Sequence, residues 1–466
     1  MDRIRVSARS LAPHVRRRST MSPSPPSRPP LKATNSRSDP TSGSRPAAVG
    51  HAAACDKLLA TLNAAQRRAV TSDADTVAIL AGPGSGKTHT LASRVVWLID
   101  RTGYRPQDVV VATFTVKAAR EMKERIGRVL GSESERKIVL GTFHGIARRY
   151  LAAYGKHIGL DPKFGIADDV DSRAIIQRIC KRLQTTTPVD PAAARSWISK
   201  KKAKGSTGES PGNARQVMKP PTAIDQLLEA VLADYQAQLA RSNLLDYDDL
   251  LVRCVELLRN HPSCVSNVHA VLVDEYQDTN GIQYELMKLL AQARQRITVV
   301  GDPDQSIYGW RSAEVRNLYR LLREFPATEE VALEENYRSS RAILALSLAV
   351  IQEDKKRYQK VLKPIRGRGA RPVLRKLRSA QAEGEWMVSE ILRITRMTGG
   401  LIKLQDVAIL LRTAALSRHI ESALGKAGIA YRMVGELMRC RYVCVCAELE
   451  LAMSWLTLPT LHPRRV

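Results

Sequence analysis

The chain has 466 residues, which is enough for roughly two to four domains with cores of their own. Hydrophobic residues make up 44% of it and charged residues 26%, proportions that are ordinary for a soluble globular protein. Lysine and arginine outnumber aspartate and glutamate by 73 to 46, and this net charge of +27 favours a polyanionic partner, nucleic acid first and an acidic membrane surface second. No run approaches about 18 apolar residues, so we expect no membrane span. Of the two polyanions we expect nucleic acid, and no membrane, to be the partner.

Residues 1–55 are rich in serine, proline and arginine, and their only acids are Asp2 and Asp39. Such a segment cannot bury enough apolar surface to fold, so we expect a disordered basic tail. The same composition fits a mitochondrial transit peptide, the run Val15–Arg18 could serve as a nuclear signal, and a solvated tail without an address is equally compatible.

From Lys57 onward the pattern becomes α/β, because short apolar runs that suit buried parallel strands alternate with helical stretches. The predicted strands are Val77–Leu80, Val109–Phe114, Ile138–Thr142, Val271–Asp274 and Ile297–Val300. Between roughly 160 and 260 the pattern is helical, interrupted by Lys200–Lys202, Lys204 and a polar stretch at 205–213; a solvated surface is one explanation of these lysines. A second α/β pattern follows Asn336, with strands predicted at Val373–Leu377, Val407–Leu411 and Tyr431–Val434.

The cysteines are mostly scattered along the chain, which suits reduced thiols in a cell interior better than a disulfide framework. Cys440, Cys444 and Cys446 do cluster, but no second cluster and no histidines stand at zinc-ligand spacing. We therefore predict no zinc site there.

The stretch AGPGSGKTHT at 81–90 lies between a predicted strand and a predicted helix. It fits the phosphate-loop pattern G-x-x-x-x-G-K-[ST] except at its first position, and a strand-to-helix turn is where backbone N–H groups and a helix N-terminus favour an anion. We expect Lys87 to reach the β- and γ-phosphates of a nucleotide and Thr88 to hold Mg²⁺; an ordinary glycine-rich turn is the alternative. The predicted loop residues are Ala81, Gly82, Pro83, Gly84, Ser85, Gly86, Lys87 and Thr88.

The apolar run Val271–Val273 ends in two carboxylates, Asp274 and Glu275. This arrangement suits Asp274 as a ligand of Mg²⁺ and Glu275 as the group that polarises the attacking water. The alternative is a charged strand end without a function. The long stretch between Lys87 and Asp274 is more than a compact nucleotide-hydrolysing core needs, so it predicts an inserted domain.

Together these segments resemble the motifs of superfamily 1 helicases of the UvrD/Rep/PcrA type, in the same order over about residues 60–340, and the fungal anti-recombinase members of that group are a plausible match. In this family the first motif begins with alanine, so Ala81 is expected. Val116 departs from the family, which usually has asparagine there. The matching segments are Leu62–Gln66, Ala81–Thr88, Thr113–Ala119, Gly141–His144, Leu245–Leu250, Asp274–Asn280, Val300–Arg311 and Asn336–Ser339.

The resemblance implies an α/β fold: a RecA-like P-loop NTPase domain at 56–335 with an inserted helical subdomain at about 160–260, then an incomplete second RecA-like domain at 336–435 and an atypical tail at 436–466. ATP binds between two such domains in this family. The nucleotide-site roles implied are Gln66 on adenine, Tyr337 stacking on the base, Gln305 sensing the γ-phosphate and Arg338 as an arginine finger.

By the same resemblance, Phe114, His144 and Trp310 line a path for single-stranded DNA, on which aromatic faces bind any base. His89 stands where many relatives carry a basic residue near the nucleotide, so contacts to adenine could differ here.

The implied activity is that of an ATP- and Mg²⁺-dependent 3′→5′ helicase acting on single-stranded and 3′-tailed duplex DNA, in the nucleus or, through the tail, in mitochondria. Two rivals are a basic nucleic-acid-binding module with a decayed ATP site and a RecB-type helicase–nuclease subunit. The intact Lys87, Asp274 and Arg338 argue against the first, and we expect no room for the nuclease domain of the second.

Two further family motifs, T-x-H-x-[AS]-K-G-L-E and V-A-x-T-R-A, have no match after Gly435. We therefore expect a truncated or mis-spliced product whose sequence from about residue 436 is foreign to the family. Such a chain should bind ATP and DNA but hydrolyse slowly and unwind little, because losing an arginine finger can cost ~10³–10⁵ in turnover. An ATP- and DNA-binding fragment without helicase activity is the alternative.

We predict that single-stranded DNA binding weakens with salt, with a slope of roughly −0.7 per neutralised phosphate. Trp310→Ala should weaken binding further and leave this slope nearly unchanged, because it removes stacking and not charge. Fluorescence titrations at several salt concentrations measure both quantities. Unchanged affinity in the variant would assign Trp310 to core packing.

Overall fold

The computed structural model describes residues 4–6, 48–183, 189–204, 222–306, 316–355, 357–434 and 442–445. Among them, 48–372 form one compact unit, and 373–445 together with 4–6 form another. Trp310, the run Val15–Arg18, the stretch 205–213 and the side chains of the clustered cysteines lie outside the described residues. No helix in the described part of the chain is long and apolar enough to cross a bilayer.

The helices are α1 (Ala48–Ala60), α2 (Ala64–Thr71), α3 (Lys87–Asp100), α4 (Val116–Lys137), α5 (Phe143–Tyr154), α6 (Asp169–Leu183), α7 (Pro191–Lys204), α8 (Ala223–Arg241), α9 (Tyr247–Asn260), α10 (Gly281–Leu290), α11 (Arg316–Glu324), α12 (Arg341–Ile351), α13 (Ala380–Met397) and α14 (Ser417–Lys426). The strands are β1 (Ile4–Val6), β2 (Thr76–Ala81), β3 (Val109–Thr113), β4 (Val139–Thr142), β5 (Gly165–Ala167), β6 (Leu244–Asp246), β7 (Ala270–Val273), β8 (Ile297–Gly301), β9 (Glu329–Leu333), β10 (Glu335–Asn336), β11 (Lys363–Pro364), β12 (Val407–Leu410), β13 (Tyr431–Val434) and β14 (Tyr442–Val445).

The first unit is built on a six-stranded sheet in the order β4-β3-β7-β8-β2-β9, and every pairing in it is parallel. Alternate residues of β2 enter separate cores: Ala78 and Leu80 belong to one, Val77 and Ile79 to the other. A parallel sheet covered on both faces needs such continuously apolar strands. This confirms the predicted mixed α/β fold with a parallel sheet. The edge strand β9, with its exposed charged residues, escaped prediction.

The helical insertion between β4 and β7 has a small core of its own. Ile176 of α6, Ile198 of α7 and Val231 of α8 are buried together in it. The short strands β5 and β6, which pair in parallel, also belong to this insertion. By contrast, α9 contributes Leu250 and Leu257 to a core of the main sheet.

The predicted helix break at Lys200–Lys202 and Lys204 is wrong, because α7 continues to Lys204. The Lys202 Nζ lies 2.8 Å from both Asp246 and Asp249, and all three side chains are buried. Lysine is a good helix former, and these carboxylates supply the partner that a buried ammonium needs. Lys202 is therefore a structural cation inside the protein and not part of a solvated surface.

The second unit contains an antiparallel sheet in the order β1-β12-β14-β13, against which α13 and α14 pack. The prediction of a strand at Val373–Leu377 is wrong: this segment has no regular structure, and Val373 and Leu374 are 71% and 83% exposed. Its apolar residues Val373 and Leu374 are followed by Arg375 and Lys376, and no strand in the described residues pairs with it. The predicted strands at 407–411 and 431–434 correspond to β12 and β13.

The boundary of the N-terminal tail also differs from our expectation of disorder through residue 55. Helix α1 begins at Ala48, and Cys55 is buried in the core beside α3. Strand β1 pairs with β12. The apolar residues after Ala48 give this segment the helical packing surface that the preceding serine- and proline-rich sequence lacks.

Arg94 of α3 is a fully buried cation that hydrogen-bonds both to the end of α2 and to the main sheet. Its Nη1 donates to the carbonyls of Ala69, Val70 and Ser72, each at 3.0 Å, and its Nε donates to Thr298 Oγ1 at 2.8 Å. Burial lowers the pKa of Arg94 to about 10, which leaves it charged at pH 7. The cation thus satisfies the otherwise unpaired carbonyls at the C-terminal end of α2.

We predict that Arg94→Leu lowers the free energy of unfolding by roughly 3 kcal/mol, because it leaves buried carbonyls without a donor. Arg68→Leu is the matched control: Arg68 forms an exposed ion pair with Glu329, which is worth at most about 1 kcal/mol. Urea denaturation of both variants tests this. Equal stability losses would contradict the role given to Arg94.

Candidate nucleotide and nucleic-acid site

The predicted site residues follow different strands of the main sheet. Because parallel strands end at one edge of the sheet, the segments that follow them come together there, as in other open α/β folds. The strand ends concerned are those of β2 before the phosphate loop, β3 before Phe114, β4 before His144, β7 before Asp274 and Glu275, and β8 before Gln305.

The phosphate loop joins β2 to α3, as predicted. Gly84 and Gly86 have φ values of +69° and +87°, which glycine adopts at no steric cost. The buried Ser85 Oγ donates to the Gly82 carbonyl at 2.7 Å, and Lys87 Nζ donates to the Ala81 carbonyl at 3.4 Å. The loop is therefore closed on itself, with the Lys87 ammonium folded back across it. Ala81 is the last residue of β2 and its methyl group lies in the core, so alanine fits here.

Asp274 is the buried acid beside this loop, with 3% of the residue exposed. Burial, and then the neighbouring Glu275, raises the pKa of Asp274 to about 7. Burial lowers the pKa of Lys87, although Glu275 and Asp274 oppose this shift. Asp274 Oδ1 accepts a hydrogen bond from the Glu275 N–H at 3.0 Å, and no lysine or arginine among the described residues forms an ion pair with it.

A divalent cation would give the Asp274 carboxylate the positively charged partner that it lacks among the described residues. The carboxylate oxygens of Asp274 and the hydroxyl of Thr88 are ligands of the hard type that Mg²⁺ prefers. No cluster of three His, Cys, Asp or Glu side chains fit to hold a metal occurs in the described residues. The Asp274 carboxylate and the Thr88 hydroxyl fit magnesium bound by few protein ligands, with phosphate and water oxygens completing its coordination.

Glu275 and Gln305 are linked through two further side chains. Glu275 lies in the left-handed region at φ +49°, and its carboxylate accepts from Gln277 Nε2 at 2.8 Å. Gln277 Oε1 in turn accepts from the Asp302 N–H at 2.9 Å, and Gln305 Nε2 donates to Asp302 Oδ2 at 2.5 Å. The residues predicted to act on water and on the γ-phosphate thus share one hydrogen-bonded chain.

Gln66, predicted to contact adenine, is buried against the phosphate loop. Its Nε2 donates to the Ser85 carbonyl at 2.9 Å, and its Oε1 accepts from the Asn63 N–H at 3.1 Å. Both ends of the amide are thus engaged within the protein, and the adenine contact stays a prediction. Nearby, His89 Nε2 lies 3.4 Å from Thr61 Oγ1, and burial lowers the pKa of His89.

The segment that carries Tyr337 and Arg338 lies directly on the phosphate loop. The Tyr337 N–H donates to the Gly84 carbonyl at 3.0 Å, and Asn336 Nδ2 donates to the Pro83 carbonyl at 2.5 Å. Arg338 is close enough to the Lys87 ammonium for its charge to lower the pKa of Lys87. The structure therefore brings both predicted residues to the loop, with the Tyr337 ring partly exposed beside it.

The predicted DNA-binding residues Phe114 and His144 follow the adjacent strands β3 and β4. His144 packs edge-to-face against Tyr247, with ring centroids 6.2 Å apart. Burial lowers the pKa of His144, so its ring is neutral at pH 7. Tyr247 is 46% exposed and had no assigned role, although it lies in the recognised segment Leu245–Leu250. The available sequence signal was an aromatic residue within this recognised acidic segment.

A family model described as the UvrD/REP helicase N-terminal domain matches residues 62–326. This chain belongs to the UvrD/REP helicase family. A second family model, the UvrD-like helicase C-terminal domain, matches residues 331–438.

Similar proteins carry names consistent with this family. The ATP-dependent DNA helicase srs2 of Schizosaccharomyces pombe is 42% identical over 390 residues, which cover 80% of this chain and 44% of the relative. The ATP-dependent DNA helicase PcrA of Staphylococcus aureus is 36% identical over 386 residues, 81% of this chain and 51% of the relative. PcrA of Leuconostoc citreum is 35% identical over 387 residues, 80% and 50% respectively. The chain thus spans about half the length of these relatives.

We predict that Lys87→Ala abolishes the binding of ATP with Mg²⁺, because it removes the cation aimed at the phosphates. Isothermal titration calorimetry measures this affinity. Lys137→Ala, at the exposed end of α4, is the control and should bind as the unaltered chain does. Full nucleotide affinity in Lys87→Ala would exclude the loop as the binding site.

Proposed function

We propose that this chain is the motor part of a helicase that uses ATP and Mg²⁺ to move 3′→5′ along single-stranded DNA and to separate a duplex ahead of it. The observation that supports this most is the shared edge of the main sheet. The phosphate loop, the acids after β7 and the aromatic residues after β3 and β4 all lie along it. The proposed ATP hydrolysis and the proposed contact with the DNA strand therefore both take place on one rigid element, the main sheet.

In the proposed hydrolysis, Lys87 and the N-terminus of α3 hold the phosphates, and Thr88 and Asp274 hold Mg²⁺, which neutralises phosphate charge. Glu275 orients the attacking water, while Gln305 and Arg338 face the terminal phosphate. Tyr337 stacks on the base. Preorganised charge at the transferring group accounts for most of the catalysis in this reaction class.

The proposed DNA path runs along the half-buried Phe114 and His144 and the exposed Tyr247, with Trp310 assigned to it from the sequence. Stacking on aromatic faces is worth ~1–3 kcal/mol per base and does not depend on the base. The net charge of +27 supports phosphate contacts of the same sequence-independent kind. The preference for DNA follows the names of the relatives, and the 3′→5′ direction follows the family resemblance.

A role in DNA repair, replication or recombination control, with the nucleus as the location, completes the proposal. It is supported by the DNA-directed names of the relatives and by the arginine run at Val15–Arg18. Mitochondrial targeting by the N-terminal tail is the alternative location, which imaging of the tagged full chain distinguishes.

The proposal predicts ATP-dependent separation of a 3′-tailed duplex and little separation of a 5′-tailed one, measured by fluorescence release. Glu275→Gln should keep ATP affinity within about twofold and lose ~10²–10⁴ in DNA-stimulated hydrolysis, because the water loses its orienting carboxylate. Glu133→Gln, exposed on α4, is the matched control.

Other outcomes identify the rivals. ATP and DNA binding without strand separation would make the chain an ATP- and DNA-binding fragment. Release of labelled nucleotides from DNA would indicate a nuclease, and DNA binding without any ATP binding would indicate a decayed nucleotide site.

A further inference from the structure

A cluster of four buried charges lies behind the residues assigned to the γ-phosphate. It pairs Asp302 and Asp304, which follow β8, with Arg357 and Lys360, which precede β11. The Lys360 side chain is 4% exposed; its ammonium contacts the fully buried Asp302 carboxylate and lies 2.9 Å from Asp304 Oδ2. Arg357 forms a bidentate ion pair with Asp304, with its Nε at 3.0 Å from Oδ1 and its Nη2 at 3.1 Å from Oδ2.

Asp302 is the point at which this cluster meets the nucleotide site. Its Oδ2 accepts the Gln305 amide at 2.5 Å, and its N–H donates to Gln277, which donates to Glu275. The Asp302 carboxylate therefore bears directly on Gln305, and the backbone of the same residue bears on Glu275 through Gln277. Lys360 touches neither of them directly and acts through this carboxylate.

The positive charge of Lys360 balances the negative charges of the two carboxylates that it contacts. Burial and the like charge of Lys87 lower the pKa of Lys360 to about 7. Two carboxylates contact its ammonium directly and favour the charged form, so we take the cation as present. Without it, Asp302 would lose the cation it contacts while Arg357 still pairs with Asp304, so Asp302 would turn away or take up a proton.

We propose that Lys360, supported by Arg357, is a positioning residue that holds Asp302 and thereby sets Gln305 and Glu275 toward the terminal phosphate of bound ATP. The inference rests on the proposed function, because that function gives Gln305 and Glu275 their roles. In sequence, Lys355–Lys360 looks like an ordinary basic stretch within the predicted second domain. In the structure, Arg357 and Lys360 of this segment contact the acids after β8.

The test compares the binding of ADP and of the non-hydrolysable analogue AMP-PNP, each with Mg²⁺, to the full chain by calorimetry. Lys360→Met keeps the length of the side chain and removes its charge. It should lower AMP-PNP affinity about tenfold, the equivalent of roughly one lost charge-assisted hydrogen bond, while ADP affinity changes less than about twofold. Lys363→Met, three residues along and in an exposed ion pair with Glu334, is the matched control and should change neither.

A double-mutant cycle adds a readout that a purely structural role would not move. Gln305→Ala should produce a similar selective loss, and the combined variant should lose no more than either single one. Additive losses would show that Lys360 and Gln305 act independently and would overturn the proposal.

Arg357→Gln gives a second, milder variant, because it weakens the hold on Asp304 and leaves Lys360 in place. A selective loss of about threefold in AMP-PNP affinity is expected; if Lys360→Met is unfolded by circular dichroism, this variant decides. Equal losses for ADP and AMP-PNP, or no loss for either, would overturn the positioning role. Failure of the unaltered chain to bind either nucleotide would instead overturn the proposed function.

Discussion

The parallel pairing of the main sheet is the constraint on which the site depends. The four central strands, β3, β7, β8 and β2, are buried on both faces, so their flanking segments cannot cross the sheet and must return over it through helices. All the strands therefore end at the same edge, and residues far apart in sequence meet there. Lys87 and Asp274, separated by the whole helical insertion, are neighbours because β2 and β7 both pair with β8.

The acidic side chains at this edge of the sheet are of two kinds: some contact a cation of the protein, and Asp274, in the described part of the chain, does not. Asp302 and Asp304 have cations of the protein in contact, so their cost of desolvation is offset within the fold. Asp274 has no such ion pair in the described residues, and burial together with the neighbouring Glu275 raises its pKa. A carboxylate in this condition favours a cation brought by a ligand, which is what a magnesium–nucleotide complex provides.

Much of the site could be predicted because its chemistry is local in sequence. The loop at 81–88 needs glycine at positions with positive φ and a lysine at the start of a helix, and Asp274 needs an apolar strand before it; both patterns are contiguous. The structural setting of charged residues and of short apolar runs was harder to predict. The lysines of α7 resemble a loop until Lys202 meets Asp246 and Asp249, and Val373–Leu377 resembles a strand although no strand in the described residues pairs with it.

By itself, the sequence determined the family, the α/β class and the places of the central strands along the chain, because each follows from short contiguous patterns. It also predicted the residues that are proposed for the nucleotide site. Only the tertiary structure decided which side chains touch. It placed Tyr247 against His144, engaged both ends of Gln66, and joined Arg357 and Lys360 to Asp302 and Asp304 across more than fifty residues of chain. Such contacts depend on where separate strands and helices end in space, and no local pattern carries that information.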